Sequence, residues 1–284
     1  YSKWEHETKP VPNAHVSEIA RVLSIQELYV EQLLKERVSL SYPTLESKYV
    51  EESFSDLVAR GIPERKIFDI IDSIYDEYPS AVIESPDDGS NDYGDAEKWN
   101  RLLVHYPQLF RMISERNSEN YVAYWMVLSI TDELYDRTVA GENINKECDY
   151  MDTHGFFVPR DHNIYIVDMF TRKNYLDRIP LNRVIRDGFF SLVQEMAEHG
   201  HFIKRIVTHA AEVRSEKLCN DLRLEPVCNH KYHRRYRSET DKTLIPAKIY
   251  AVDLSKGDLS ILAHQSDPML INRYMEHFGI VKPS

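Results

Sequence analysis

Cysteine is scarce in this chain. Among its 284 residues stand only Cys148, Cys219 and Cys228. An odd, sparse set with no CxxC pair excludes a disulfide scaffold and fits a reducing, cytoplasmic setting. None of the three stands at zinc spacing to the twelve histidines, so the sequence gives no support for a metal site. No apolar run approaches the roughly 18 residues that a membrane span requires. The opening YSKWEHETKPVPN lacks the continuous apolar core of a secretory signal. Basic charge is short as well. A net charge of −11 opposes a generic nucleic-acid binder and argues against nucleic acid as a partner.

What is present suits a folded chain of one or two domains, with 42% hydrophobic residues for a core and 29% charged residues for a surface. Charge is unevenly placed. From Val11 to Ser80 acids outnumber bases about two to one, whereas Lys204 to Lys248 is basic and contains HKYHRRYR, His230 to Arg237. Residues 14–79 read as helix throughout. Val16 to Leu34 places Ile19, Ala20, Leu23, Ile25, Val30 and Leu33 where a helix-turn-helix needs them, and so resembles that family. Its second helix, QELYVEQLLKE, carries three glutamates and one lysine, the wrong side chains for base edges. An acidic helical module over 1–79, packing on the rest of the chain, on a protein partner or on a second copy, is the favoured reading. Within it Gly61-Ile62-Pro63 separates two helices, the second with Phe68, Ile71, Ile74 and Tyr75 on its apolar face.

Downstream, Ser80–Ser85 is a candidate strand, and the acidic Pro86–Asp95 reads as a linker because it lacks the ligand spacing of a calcium loop. Helices are expected over Ala96–Val104 and Gln108–Arg116. Tyr121–Ile130, long, aromatic and β-branched, is a central strand. Thr131–Gly141 is a helix with a Thr cap and a terminal Gly, and Gly155-Phe156-Phe157 is a candidate strand end. Then comes a βαβ unit. A strand over Ile164–Phe170 leads through a polar loop to an amphipathic helix with Leu181, Val184, Ile185, Phe189, Leu192, Val193 and Met196 on one face. His199-Gly200 stops that helix, Phe202–Val207 is a second strand, and Ala210–Leu222 a second helix. Val227–Tyr236 and Lys248–Leu254 read as strands, and Leu259–His264 and Pro268–Phe278 as helical pieces. Regular alternation in HKYHRRYR puts His230, Tyr232, Arg234 and Tyr236 on one face and Lys231, His233, Arg235 and Arg237 on the other. Such a face suits a nucleotide or phosphate, or else the acidic module; the opposite charges favour the second.

The element order from Ser80 to Leu254, over roughly 175 residues, resembles the GNAT superfamily of acyl-CoA-dependent N-acyltransferases. The resemblance implies an α/β (α+β) class: a mixed central sheet flanked by helices over residues 80–284, preceded by the all-helical module. It also implies acetyl-CoA or another acyl-CoA as cofactor and a small-molecule or protein amine as substrate. In that family the strand equivalent to Ile164–Phe170 ends in a loop whose backbone N–H groups, with the next helix N-terminus, hold the CoA pyrophosphate. Carried over, the cofactor contacts are Val167 and Met169 on the strand, and Arg172, Lys173, Arg178 and Leu181 beyond it. The family's loop pattern of Arg or Gln, then two small residues, falls here on Leu176, Ile179 and Leu181. Side chains thus stand where glycine lets backbone approach phosphate, and Asp177 adds negative charge. The family's leaving-group tyrosine falls on Cys219. A general base would lie at the splay of the two central strands, where Asp168, His209 and Glu212 are the candidates. Each has a plain alternative, respectively as a cap, a satisfied strand-end residue and a first-turn acid, and Cys219 as a buried structural thiol. Two functions stay open: an N-acyltransferase, or a catalytically degenerate GNAT-fold binding or regulatory module. A helix-turn-helix regulator with a ligand-sensing domain ranks behind both.

Overall fold

The computed structural model describes residues 48–77, 81–83, 96–145, 148, 153–155, 158, 160–175, 179–237, 240–241, 243–264 and 268–280. The helix-turn-helix segment at 16–34, the acidic stretch 86–95, Phe156, Phe157 and the loop residues Leu176, Asp177 and Arg178 lie outside these.

Strands β1 (Tyr49–Ser53), β2 (Ala81–Ile83), β3 (Phe110–Glu115), β4 (Tyr121–Ile130), β5 (Asp161–Thr171), β6 (Phe202–Ala210), β7 (Glu225–Tyr236) and β8 (Leu244–Asp253) form one sheet. Its order is β1-β3-β4-β5-β6-β8-β7-β2. Only β5 and β6 are parallel; every other neighbouring pair is antiparallel. This is the mixed sheet expected, and its parallel pair is the expected βαβ unit. All ten residues of β4 are buried, as a near-continuous apolar strand in mid-sheet should be.

The crossover helix α5 (Ile179–Glu198) covers one face. Phe189, Leu192, Val193 and Met196 are buried, and the Phe189 ring meets Trp125 of β4 edge-on at 6.3 Å. Gly200, at φ +78°, turns the chain out of the helix, and the N–H of His201 closes onto the Met196 carbonyl at 2.9 Å. Helices α1 (Phe54–Ala59) and α2 (Glu64–Tyr75) lie before the sheet's centre in sequence. The ring of Tyr75 at the end of α2 meets Phe170 of β5 at 5.5 Å. Helices α3 (Ala96–His105), α4 (Asp132–Val139), α6 (Val213–Asp221) and α7 (Pro268–His277) complete the described set. Thr131 caps α4, its hydroxyl accepting the Leu134 N–H, as the sequence suggests.

Two expectations of helix are corrected. Residues 49–53 form strand β1, which pairs with β3 from Tyr49–Glu115 to Ser53–Arg111. Residues 110–115 form β3 rather than a helix, and pair with β4. Both runs are five or six residues long, too short for a 3.6 period to be told from a period of two. What decides is tertiary. Tyr49, Phe110, Met112 and Ile113 are buried in the sheet's core, and the Glu51 carboxylate lies 3.7 Å from the Arg111 guanidinium across the strand pair. Residues 48–77 thus pack with the sheet, and the expectation of a separate helical module bears only on residues before 48.

Candidate active site at the splay of β5 and β6

Parallel pairing of β5 with β6 ends at Ile166–Thr208. Beyond it the strands part around a cavity of about 70 Å³, lined among others by Val167, Asp168, Met169, His209, Glu212 and Cys219. The residues proposed from sequence as base, acid and strand contacts therefore line one cavity. Leu181 lies in the first turn of α5.

The register explains why the two strands offer these side chains together. On β4, Met126 pairs with Asp168 and Val127 with Ile166, so Val167 is an extra residue of β5. A bulge of this kind reverses the alternation of side chains past it. Tyr165 pairs with Leu128 and Asp168 with Met126, positions two apart on β4, and so both face one side. On β6, His209 lies two residues past Val207, the partner of Tyr165, and shares that side.

Asp168 is buried and accepts a hydrogen bond from the Tyr124 phenol, whose pKa is driven well above its ordinary value by burial and then by this carboxylate. The His209 Nδ1 lies 3.2 Å from the Tyr165 hydroxyl. Glu212 occupies the N-cap position of α6 without capping it through its side chain. Cys219, on the buried side of α6, has its thiol pushed up to about 12, first by burial and then by the nearby Glu216 carboxylate. At neutral pH it is a thiol, with no thiolate character.

Other lining residues were not legible as site residues. Tyr75 closes the cavity from α2; its apolar face was evident, its destination was not. His233 lines it from β7, where simple alternation fails. Asn229 pairs with Lys248 and Arg234 with Pro246, so residues 230–233 oppose Ala247 alone. This bulge corrects the expected division of faces. His230 and His233 are both buried and stack at 4.2 Å with 12° between planes, and both approach His209, at 5.7 and 4.9 Å. The Arg234 guanidinium donates to the carbonyls of His230, Lys231 and His233 and so stitches the bulge. Lys231 meets Glu142 at 3.2 Å. Gly141 makes this approach possible: it sits at φ +88°, and a Cβ there would fall 2.6 Å from the Asn229 carbonyl. Burial, with His233 and His209 adjacent, pushes His230 down to about 2. Among the described residues no group of three or more His, Cys, Asp and Glu side chains is arranged to hold a metal ion.

At the mouth of the loop after β5, the expected phosphate contacts have a partner already. Arg172 donates to Glu77 at 2.6 Å, to the Ser73 hydroxyl at 2.7 Å and to the Tyr121 carbonyl at 2.8 Å. The backbone N–H of Lys173 donates to the other Glu77 oxygen at 2.7 Å. Pro180, second residue of α5, has no N–H to offer an anion. The Arg172 guanidinium and the Lys173 N–H, which the resemblance assigns to a diphosphate, thus hold the protein's own Glu77 carboxylate.

No protein-family profile matches the sequence, and no curated protein matches it. Solved structures do show similarity. The NatC complex bound to Gag peptide and CoA has a chain 10% identical, with 72% of this chain and 98% of that one covered at a TM-score of 0.40. The mosquito protein arylalkylamine N-acetyltransferase like 5b is 11% identical, covering 72% and 99% at 0.43. The C-terminal condensation domain of Ebony with beta-alanyl-dopamine is 15% identical, again 72% and 99%, at 0.43. Likeness at this level leaves the strand order, the bulged β5 and the parted parallel pair to define the fold.

Proposed function

We propose that this chain, whose fold is that of the GNAT N-acyltransferases, transfers an acyl group from a thioester donor of acyl-CoA type to an amine. One observation carries the reading: the only parallel strand pair of the described sheet opens, one residue before a bulge in β5, into a cavity lined by Asp168, His209 and Glu212. Bulges next to active sites re-aim backbone and side chains. An acyl thioester would supply an activated carbonyl carbon and a thiolate leaving group. The chain's part is to orient two reactants in a narrow cleft and to manage one proton. Val167 and Met169 line the β5 wall where the donor's arm would lie. His209 is the group suited to take the proton from the amine. Asp168, tied to Tyr124, lines the same cavity and offers a carboxyl oxygen to an amine N–H. Cys219 is a poor acid: delivering a proton from a group near 12 to a thiolate of ordinary pKa near 8.5 is uphill by about 5 kcal/mol. We assign it to packing.

A second reading rests on Glu77. Its carboxylate on Arg172 and the Lys173 N–H favours a binding or regulatory module whose diphosphate site has been given up. Mass spectrometry of an amine panel incubated with acetyl-CoA separates the two. Acylated product, lost in His209→Gln, supports the enzyme; a folded wild-type protein that yields none supports the module. The amine, the acyl chain and any protein partner or self-association through residues 1–47 are open to the same experiments. Among the described residues no helix is long and apolar enough to cross a membrane.

A further inference from the structure

We propose that Glu51 is a proton-operated latch: with its carboxyl neutral it holds edge strand β1 against α5, and with the carboxyl ionised β1 leaves the sheet edge more readily. The latch does not depend on acyl transfer.

Strand register brings its parts together. Among the described strands β1 is an edge of the sheet, with β3 as its neighbour. Glu51 pairs with Ile113. Arg111, two residues before Ile113, shares that face of β3 and pairs in turn with Trp125 of β4. Glu51, Arg111 and Trp125 thus stand in a row on the face that α5 covers, where Phe189 meets Trp125. Gly188, beside Phe189 in the helix, is the seat for the carboxyl. A Cβ there would fall 2.7 Å from the Glu51 carboxyl carbon. Glycine in the interior of a 20-residue helix costs stability relative to alanine, and here it leaves room for a carboxyl group pressed on helix backbone.

Nothing at this seat fully answers a negative charge. The Glu51 side chain is 22% exposed, and Arg111 approaches it with Nε at 3.7 Å, beyond hydrogen-bond reach. The Arg111 Nη1 is turned instead to the carbonyls of Gln108 and Phe110, at 3.1 and 3.0 Å. Its charge is also shared with Asp56 of α1 and Glu195 of α5. The buried Trp125 indole N–H leans toward Glu51 but closes no hydrogen bond. On α5, the charges next to Gly188 are Arg186 and Asp187, which pair with each other at 3.0 Å. Glu52 points to the opposite face and meets Arg60 at 3.2 Å. Burial therefore outweighs Arg111 and lifts Glu51 from 4.5 to about 7. Freed from the edge, the carboxyl returns to its ordinary range, so the seated form holds the proton more tightly than the open one. Between the two values each rise of one pH unit favours opening about tenfold; above about 7 both forms are ionised and the dependence ends. Opening bares the β3 edge, whose N–H and C=O groups then stand ready to pair with another strand.

Amide hydrogen exchange of the full chain decides it, read as protection factors corrected for the intrinsic pH dependence, under conditions where closing outpaces exchange. From pH 5 to 7 the open population of β1 is expected to rise about a hundredfold, and in Glu51→Gln to change by less than about threefold. Central strand β4 reports global unfolding in the same sample. Protection of β1 that keeps step with β4, or a rise that survives in Glu51→Gln, overturns the latch. Gly188→Ala tests the seat by sign. At an unobstructed position alanine strengthens a helix; here its methyl meets the carboxyl and should raise β1 opening at pH 5. A β1 protected as well as in wild type, or better, overturns the seating. Should Glu51→Gln fail to fold, the wild-type Trp125 indole N–H resonance decides, assigned through its own Cβ. It should titrate with a midpoint of about 7, and a flat response from pH 5 to 8 overturns the proposal.

Discussion

Replacing Glu77 by Gln gives a prediction that cuts both ways, because it weakens the fold while freeing a ligand site. Glu77 ties the end of α2 to the end of β5 through Arg172 and the Lys173 N–H, at 2.6 and 2.7 Å. Their side chains are 28% and 25% exposed, so solvent screens part of the interaction. An exposed pair is worth up to about 1 kcal/mol, and a hydrogen bond to a charged group about 1.5–3 kcal/mol. Between these, a loss of about 1–2 kcal/mol in stability is expected, measured as a lower urea midpoint with unchanged slope. If a diphosphate must displace this carboxylate, the same 1–2 kcal/mol opposes its binding in wild type. Removing it should tighten CoA binding about 5- to 30-fold, read by isothermal titration. Arg172 then has phosphate as its partner, and Arg172→Ala should weaken CoA binding to Glu77→Gln. The refuting result is a Glu77→Gln protein that is less stable yet binds CoA no more tightly than wild type. Glu77 would then be a structural tie alone.

Other perturbations read separate parts of the molecule. His162 is buried and pushed down to about 4, mainly by burial, and His230 to about 2. A histidine depressed in the fold contributes stability that is whole above its unfolded pKa near 6.5 and is lost as pH falls below it, here about 2 kcal/mol each between pH 7 and 5. Glu51, raised to about 7 by burial against the pull of Arg111, acts the other way and regains about 2 kcal/mol over the same range. Urea unfolding of wild type should thus lose about 2 kcal/mol from pH 7 to 5, Glu51→Gln about 4, and His162→Gln almost nothing; equal losses in all three would contradict these assignments. Gly141→Ala, at φ +88° and against the Asn229 carbonyl, should cost more than about 1 kcal/mol and lower the midpoint of thermal unfolding by several degrees. In native protein at pH 8, iodoacetamide should leave Cys219 unmodified, and Cys219→Ala should keep kcat within about twofold; labelling of Cys219 before unfolding would contradict its burial.

Much of the fold was legible because long periodic runs carry it. Tyr121–Ile130 declares a central strand by unbroken apolar and aromatic residues, and the helix from Leu181 to Met196 declares its buried face by spacing. The strands at 49–53 and 110–115 were not legible, since each is decided by the neighbour it pairs with rather than by its own pattern. For the site, Asp168, His209, Glu212 and Cys219, singled out by their place in the element order, all line one cavity, and the roles given to them are the proposal above. What escaped depends on local irregularity. The extra residue Val167 changes which side of β5 faces the cleft. The bulge at 230–233 turns two histidines inward that alternation sets apart. Tyr75 at the end of α2 and Glu77 just past it reach the site from about 90 residues upstream of Asp168, and no local signal in the sequence connects them.

Titration of acetyl-CoA into wild type and Ser215→Trp puts the splay itself to the test. Ser215 lines the cavity from α6, and an indole there fills the space where an acyl arm would run. Saturable binding in wild type, or in Glu77→Gln where wild-type affinity is weak, together with its loss in the Ser215→Trp form of the same protein, is the expected outcome. No binding at millimolar ligand in either background, or affinity unchanged by the filled cleft, would contradict the placing of an acyl donor between β5 and β6.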